Sequence, residues 1–163
     1  MNGLIDLSQV NDAILLRGDV NFKLYDENGN LKLDRDDHNL VVTGGLGHVT
    51  SRLIGAAENV MGWMEVGTDA TAAAAAQTAL IAAVGASRTA LTGSAGTQQT
   101  TTLTNDTVQF VCTFAAATGT GALVEAGVFN AASGVKMFCR TVFSVINKGA
   151  LDSLTITWKV KFA

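Results

Sequence analysis

The sequence contains no proline. Proline is one of the devices that blunts a sheet edge, so edge strands must be protected by charge, by bulges or by assembly with another chain. Charge is scarce too: 15% of residues are Asp, Glu, Lys or Arg, against about 25% in an average soluble domain. The surface therefore has to be covered by Thr, Ser, Asn, Gln, Ala and Gly, a composition suited to packing against copies of the same chain or a neighbour. The net charge is −3 and no basic cluster occurs, which argues against nucleic-acid binding driven by phosphate contacts. No stretch approaches the roughly 20 apolar residues that span a bilayer, so no membrane partner is expected. The first twenty residues, MNGLIDLSQVNDAILLRGDV, lack the positive start and apolar run of a signal peptide, and a cytoplasmic product is expected. There are two cysteines, Cys112 and Cys139, with no CxxC spacing and no histidine beside them. They read as reduced, buried and inert thiols.

What remains is apolar, at 48% of 163 residues, enough for one domain with a sizeable core. Residues 1–16 read as an arm. Its apolar members (Leu4, Ile5, Leu7, Val10, Ile14, Leu15, Leu16) need a surface to lie on, either their own body's or a neighbour's. Residues 17–163 read as a single β domain. Val20, Phe22 and Leu24 alternate with polar residues, as do Leu31 and Leu33, and Asn28-Gly29 between them is a strong hairpin signal. With both turn residues at positive φ, Leu24 falls opposite Leu33 and Asp26 opposite Leu31. Residues 39–42 form a separate short strand. Thr43 caps a helix to about Ile54 with Leu46, Val49, Leu53 and Ile54 as its apolar stripe and Gly55 as its end. "NVMGWMEVG" reads as a buried strand with Gly62 at a bulge or close approach.

The segment "GTDATAAAAAQTAL" is the exception in a chain of strands. Alanine has the highest helix propensity, so the expectation is a loop leading into a short helix laid over the end of a sheet, with Gly85 ending it. Beyond it, residues 97–104 suit an exposed edge. "TVQFVCTF" places Val108, Phe110, Cys112 and Phe114 on one face, and "LTITWKVKF" turns Leu154, Ile156, Trp158, Val160 and Phe162 inward. A strand with that many large residues needs partners on both edges and a second layer. The fold class is mainly β: an antiparallel β-sandwich, jelly-roll-like, or a barrel, with one or two short helices.

Chemistry is sparse. Asp34, Asp36, Asp37 and His38 suggest a metal site, but read more simply as a solvated strand end. "DENGN" starts like a calcium loop, yet its sixth position is Leu31 and its twelfth the short Asp37. Arg17-Gly18-Asp19 is an integrin-type tripeptide that precedes a strand. Glu125, the acid inside the apolar "VEAGVF", makes no acid–base pair by itself and is expected to pair with Arg88 or Arg140. No GxSxG or GK[ST] context occurs. No catalytic residue, cofactor site or metal site is assigned, and no enzyme is expected.

Taken in order, "NLVVTGGLGHVTSRLIG", "MEVGTDATAAAAAQTAL" with Arg88 after it, "VEAGVFNAASGVKMFCRTVF" and "LDSLTITWKVKF" resemble a group of small bacteriophage virion proteins. The likeness runs from about residue 18 to the end; the arm has no counterpart. It implies a virion structural protein, first of all a capsid decoration (cement) protein. Such a protein would bind the major capsid protein or other virion proteins as a homo-oligomer, for instance a trimer. The alternatives are a tail, neck or fibre component, a carbohydrate- or host-binding module using Trp63 or Trp158, and a small hydrolase built on Glu125 and the Asp34–His38 cluster. Trp158 lies on the inward face of its strand and is expected in the core.

Overall fold

The computed structural model describes residues 16–162 except residues 86 and 135; the expected arm, up to residue 15, lies outside the described residues. Nine strands and one helix follow in order. They are β1 (Leu16–Tyr25), β2 (Leu31–Val41), α1 (Thr43–Leu53), β3 (Trp63–Gly67), β4 (Thr89–Ala90), β5 (Thr97–Gln99), β6 (Thr107–Phe114), β7 (Gly121–Phe129), β8 (Met137–Lys148) and β9 (Ser153–Phe162). All neighbours pair antiparallel in the order β4-β3-β7-β8-β2-β1-β9-β6-β5, a single sheet curled into a half-barrel. The protein is mainly β.

The curl comes from β2. Along β1 it pairs from Gly18↔Asn39 to Tyr25↔Leu31, but it meets β8 only at Leu40↔Arg140 and Val41↔Cys139. Elsewhere β2 and β8 part, and Arg35 bridges the gap. Its guanidinium carbon sits 5.8 Å from the ring centroids of both Phe22 and Phe143, and its Nη2 donates to the Ser144 carbonyl. On the far side, Thr92 N–H donates to Val111 O at 2.8 Å, tying the chain after β4 to β6 and drawing the sheet round. β9 is held on both edges, by β1 from Leu16↔Phe162 to Tyr25↔Ser153 and by β6 from Thr107↔Lys161 to Phe114↔Leu154. The enclosed core contains Trp158, Phe22, Phe114, Met64, Leu123 and Ile146, and the inward faces of β6 and β9 are those the alternation gives.

Three local expectations change. First, β2 is one strand of 11 residues, so residues 39–41 continue the hairpin and His38 lies mid-strand. The hairpin keeps Leu24 opposite Leu33, but Tyr25, not Asp26, faces Leu31. Asp26 instead closes the turn, its carboxylate accepting the N–H groups of Asn28 (2.9 Å) and Asn30 (2.8 Å). Only Gly29, at φ 80°, needs the left-handed region, so the turn is a longer one with a bulge in place of a two-residue loop.

Second, α1 forms, and Gly55 ends it at φ 68°, but of the expected apolar stripe only Val49 packs, half-buried, against the main core, and the rest faces outward. The buried positions are Gly45 and His48, while Leu46, Leu53 and Ile54 are 47%, 82% and 83% exposed. The cause is Gly45: a Cβ there would lie 2.1 Å from Phe138 O, so the helix rests its glycine side directly on β8. Thr43 does not cap. Val42 precedes the helix, and the Thr43 N–H donates to Ala75 O at 2.8 Å.

Third, no helix forms among the described residues between β3 and β4. Residues 68–85 run as irregular chain and turns over the outer face of β7 and β8, and their end bridges the edge of β3 at Gly67↔Ala83. The strand expected from Asn59 begins at Trp63, and Gly62 links both sides, donating to Phe129 O (3.0 Å) and accepting from Leu91 N (2.9 Å).

Candidate functional site

What pins the alanine-rich strap is the acid singled out in β7. Glu125 faces Val142 of β8 and Arg140 faces Gly127, so the two side chains are diagonal neighbours on the outer face of the sheet. Arg140 Nε donates to Glu125 Oε2 at 2.9 Å, Nη2 lies 2.8 Å from the same oxygen, and neither side chain is exposed. Each partner also binds the strap. Glu125 Oε1 accepts the Ala82 N–H at 2.8 Å and Oε2 the Ile81 N–H at 3.2 Å. Arg140 Nη1 donates to Thr71 O at 3.0 Å and to Gln77 Oε1 at 3.1 Å. Gln77 Oε1 in turn accepts the Ala74 N–H at 2.8 Å. A helix over residues 71–82 would withdraw these backbone groups from the ion pair, so the buried charges override alanine's propensity. Gly67 allows the close approach: a Cβ there would stand 2.5 Å from Glu125 Oε1 and 2.6 Å from Ala82 O. Leu80 joins Val42, Phe129 and Met137 in a small second core beneath the strap, with Trp63 against it.

Arg88, the other expected partner, serves a neighbouring node. It pairs with Glu65 at 2.7 Å, stacks 3.7 Å over the Phe129 ring and donates to Gly134 O at 3.0 Å, holding the β7–β8 turn. Both arginines thus hold connecting segments against the sheet.

The other sequence candidates are dispersed or already occupied. His38 Nδ1 lies 2.9 Å from Asp19 Oδ1 on an exposed strand face. Asn21 Nδ2 donates to Asp34 (2.8 Å) and Asp36 (3.0 Å), and the Asn21 bond, helped by Lys23, holds the Asp34 carboxyl below its usual range. Among the described residues no three His, Cys, Asp or Glu side chains converge on a metal position. Arg17-Gly18-Asp19 lies inside β1, with Gly18 packed against the Asn39 side chain. Trp158 is buried in the main core. Cys112 and Cys139 are free and buried; burial pushes the Cys112 thiol up to about 12 and the Cys139 thiol well above its ordinary value.

Two polar clusters had no warning in the sequence. Glu58 accepts from Lys136 Nζ and from Ser51 Oγ and lies 2.9 Å from His48 Nδ1, and the Lys136 and His48 bonds hold its carboxyl low. Asp106 is buried and takes the N–H groups of Thr101, Thr102 and Leu103 at 2.9, 2.8 and 2.9 Å. Burial alone would raise its carboxyl, but these backbone donors outweigh it and the net direction is strongly down. Such clusters join residues distant in sequence or in irregular loops, where neither alternation nor helical spacing marks them.

One concavity is strongly apolar. It has a volume of about 330 Å³ and lies between α1 and the ends of β6 and β9, with walls that include Val49, Leu53, Val60, Val108, Phe110 and Phe162. His48 and Arg52 are its charged or ionisable wall residues. It offers apolar area and few hydrogen-bonding groups, which suits binding rather than catalysis.

No protein-family model matches this chain, and neither a curated protein nor a solved structure does. The class that fold and site define is a mainly β body whose buried charges hold connecting segments and which exposes Leu46, Leu53, Ile54 and Val60 on or beside its helix.

Proposed function

We propose that this chain is a bacteriophage virion structural protein, a capsid decoration protein that seats on the major capsid protein and holds neighbouring capsomers together without turnover. The observation that carries the reading is the outward apolar face of α1. Leu46, Leu53 and Ile54 stand exposed beside Val60, on a chain with little charge elsewhere to keep it apart from neighbours. The resemblance of the motif order to small virion proteins supports the same reading. So does the use of Glu125, Arg140, Arg88 and Glu58 in structural ion pairs. Many copies of a modest interface reinforce one another on a shell, since separating capsomers then requires breaking several contacts at once. Self-association into a homo-oligomer such as a trimer would place several of these faces on one side.

Quantitative mass spectrometry of purified particles of the encoding phage tests this. Hundreds of copies per particle are expected. A dozen copies or fewer would move the protein to the tail or neck, and absence from the particle would overturn the proposal.

A further inference from the structure

The apolar concavity beside α1 lies where the described chain begins. β1 begins at Leu16, which pairs with Phe162 at the end of β9. Directly opposite residues on paired strands project to the same face, and Phe162 is a wall of the concavity. The chain therefore enters the described body at the rim of its own apolar groove. Fifteen residues precede that point, and an extended chain of that length reaches up to about 50 Å, far more than is needed to cross the groove. Leu4, Leu7, Val10 and Ile14 recur every three or four residues, with Ile5 and Leu15 in addition, so the sequence of the segment supplies apolar side chains to fill such a groove. Charge agrees: the segment holds Asp6 and Asp12 and no Lys or Arg, while the cationic side chain on the groove wall is Arg52. Val108 and Phe162 are only half-buried at that end of the core, and Leu53 and Val60 are exposed, so each gains burial from an occupant.

We propose that residues 1–15 dock in cis, their apolar side chains filling the groove between α1 and the ends of β6 and β9 and covering Leu53, Val60 and Phe162. The groove is thereby a receptor for the chain's own N-terminal segment. Docking of this kind takes Leu53 and Val60 out of the outward face of α1 and leaves Leu46 and Ile54, which do not line the groove, for a partner.

The test uses the full chain with methyl-labelled Leu, Val and Ile. Nuclear Overhauser contacts are expected from the methyls of Leu4, Leu7 or Val10 to Val60 and to the Phe162 ring. In an equimolar mixture of differently labelled chains the contacts stay within one chain. Val60→Asp, at an exposed wall position, is expected to abolish them while leaving the amide spectrum of β1, β6 and β9 in place. Contacts only between differently labelled chains would overturn docking in cis and make a second copy's segment the occupant. Absence of contacts to the groove, or their survival in Val60→Asp, would overturn the proposal outright.

Discussion

Glu125 and Arg140 lie diagonally across the β7–β8 pair, 2.8 Å apart at Oε2 and Nη2, and neither exposes any side-chain surface. Between them they also receive the Ile81 and Ala82 N–H groups and bind the Thr71 carbonyl. Removing one charge strands the other in a fully buried site, which typically costs about 3–5 kcal/mol. Glu125→Gln is therefore expected to lower unfolding free energy by about that amount in urea titrations. The loss should be strongly non-additive with Arg140→Met in a double-mutant cycle. Additive losses would mean that the two residues act separately. The proteolytic signature is specific: cleavage between residues 70 and 82 should accelerate in Glu125→Gln before the body unfolds.

This pair also shows where the sequence is readable. An acid in an apolar strand calls for a buried cation, and Arg140 was one of two that fitted. The alternating strands β6 and β9 are legible because each contacts partners on both edges and a core on one face, so period two is enforced along their length. The alanine-rich segment is not, because its conformation is decided by Glu125 and Arg140, more than forty residues downstream. α1 is legible as a helix but not in its orientation. An apolar stripe normally seeks the core, and here the glycine side wins because only Gly45 can approach the Phe138 carbonyl. The groove required three segments far apart in sequence, and no local pattern marks it.

Two glycines one turn apart or less in α1 should respond in opposite ways. A Cβ on Gly45 would stand 2.1 Å from Phe138 O, whereas one on Gly47 meets nothing within 4 Å. Gly47→Ala is expected to stabilise the protein by about 0.5–1 kcal/mol through helix propensity alone. Gly45→Ala must push α1 off β8 and is expected to destabilise by about 1–3 kcal/mol, as overpacking does. Thermal melts of the two variants against the parent separate the predictions by sign.

Cysteine chemistry gives a direct reading of how closed the body is. With the Cys112 thiol pushed up to about 12 and Cys139 raised further by burial, neither forms thiolate at pH 8. A thiol-specific reagent is expected to leave both unmodified in the native protein and to titrate two free thiols in guanidinium. Rapid native labelling of Cys112 would mean that β4, whose Thr89 and Ala90 carbonyls lie near its sulfur, opens readily.

Stability should fall on the acid side, and Asp106 should carry a recognisable share of that loss. Its carboxyl is held low by the N–H groups of Thr101, Thr102 and Leu103, against the opposing effect of burial. Glu58 and Asp152 are also held low, by Lys136 and Lys32 respectively as the main partners. A carboxylate depressed in the folded state adds stability that is fully present above its unfolded value, near 4 for Asp and Glu, and is lost as pH falls through the folded value. Urea titrations should therefore be nearly flat in these contributions from pH 7 to about 5 and decline steadily below 4. Asp106→Asn should be less stable than the parent at pH 7, because an amide presents only one acceptor oxygen to donors now shared by two. The gap between variant and parent should narrow as the pH drops below 4, where the parent's carboxylate begins to lose its advantage. A gap that stayed constant down to pH 2 would place the role of Asp106 in shape alone, with the ionised form contributing nothing to the Thr101–Leu103 turn.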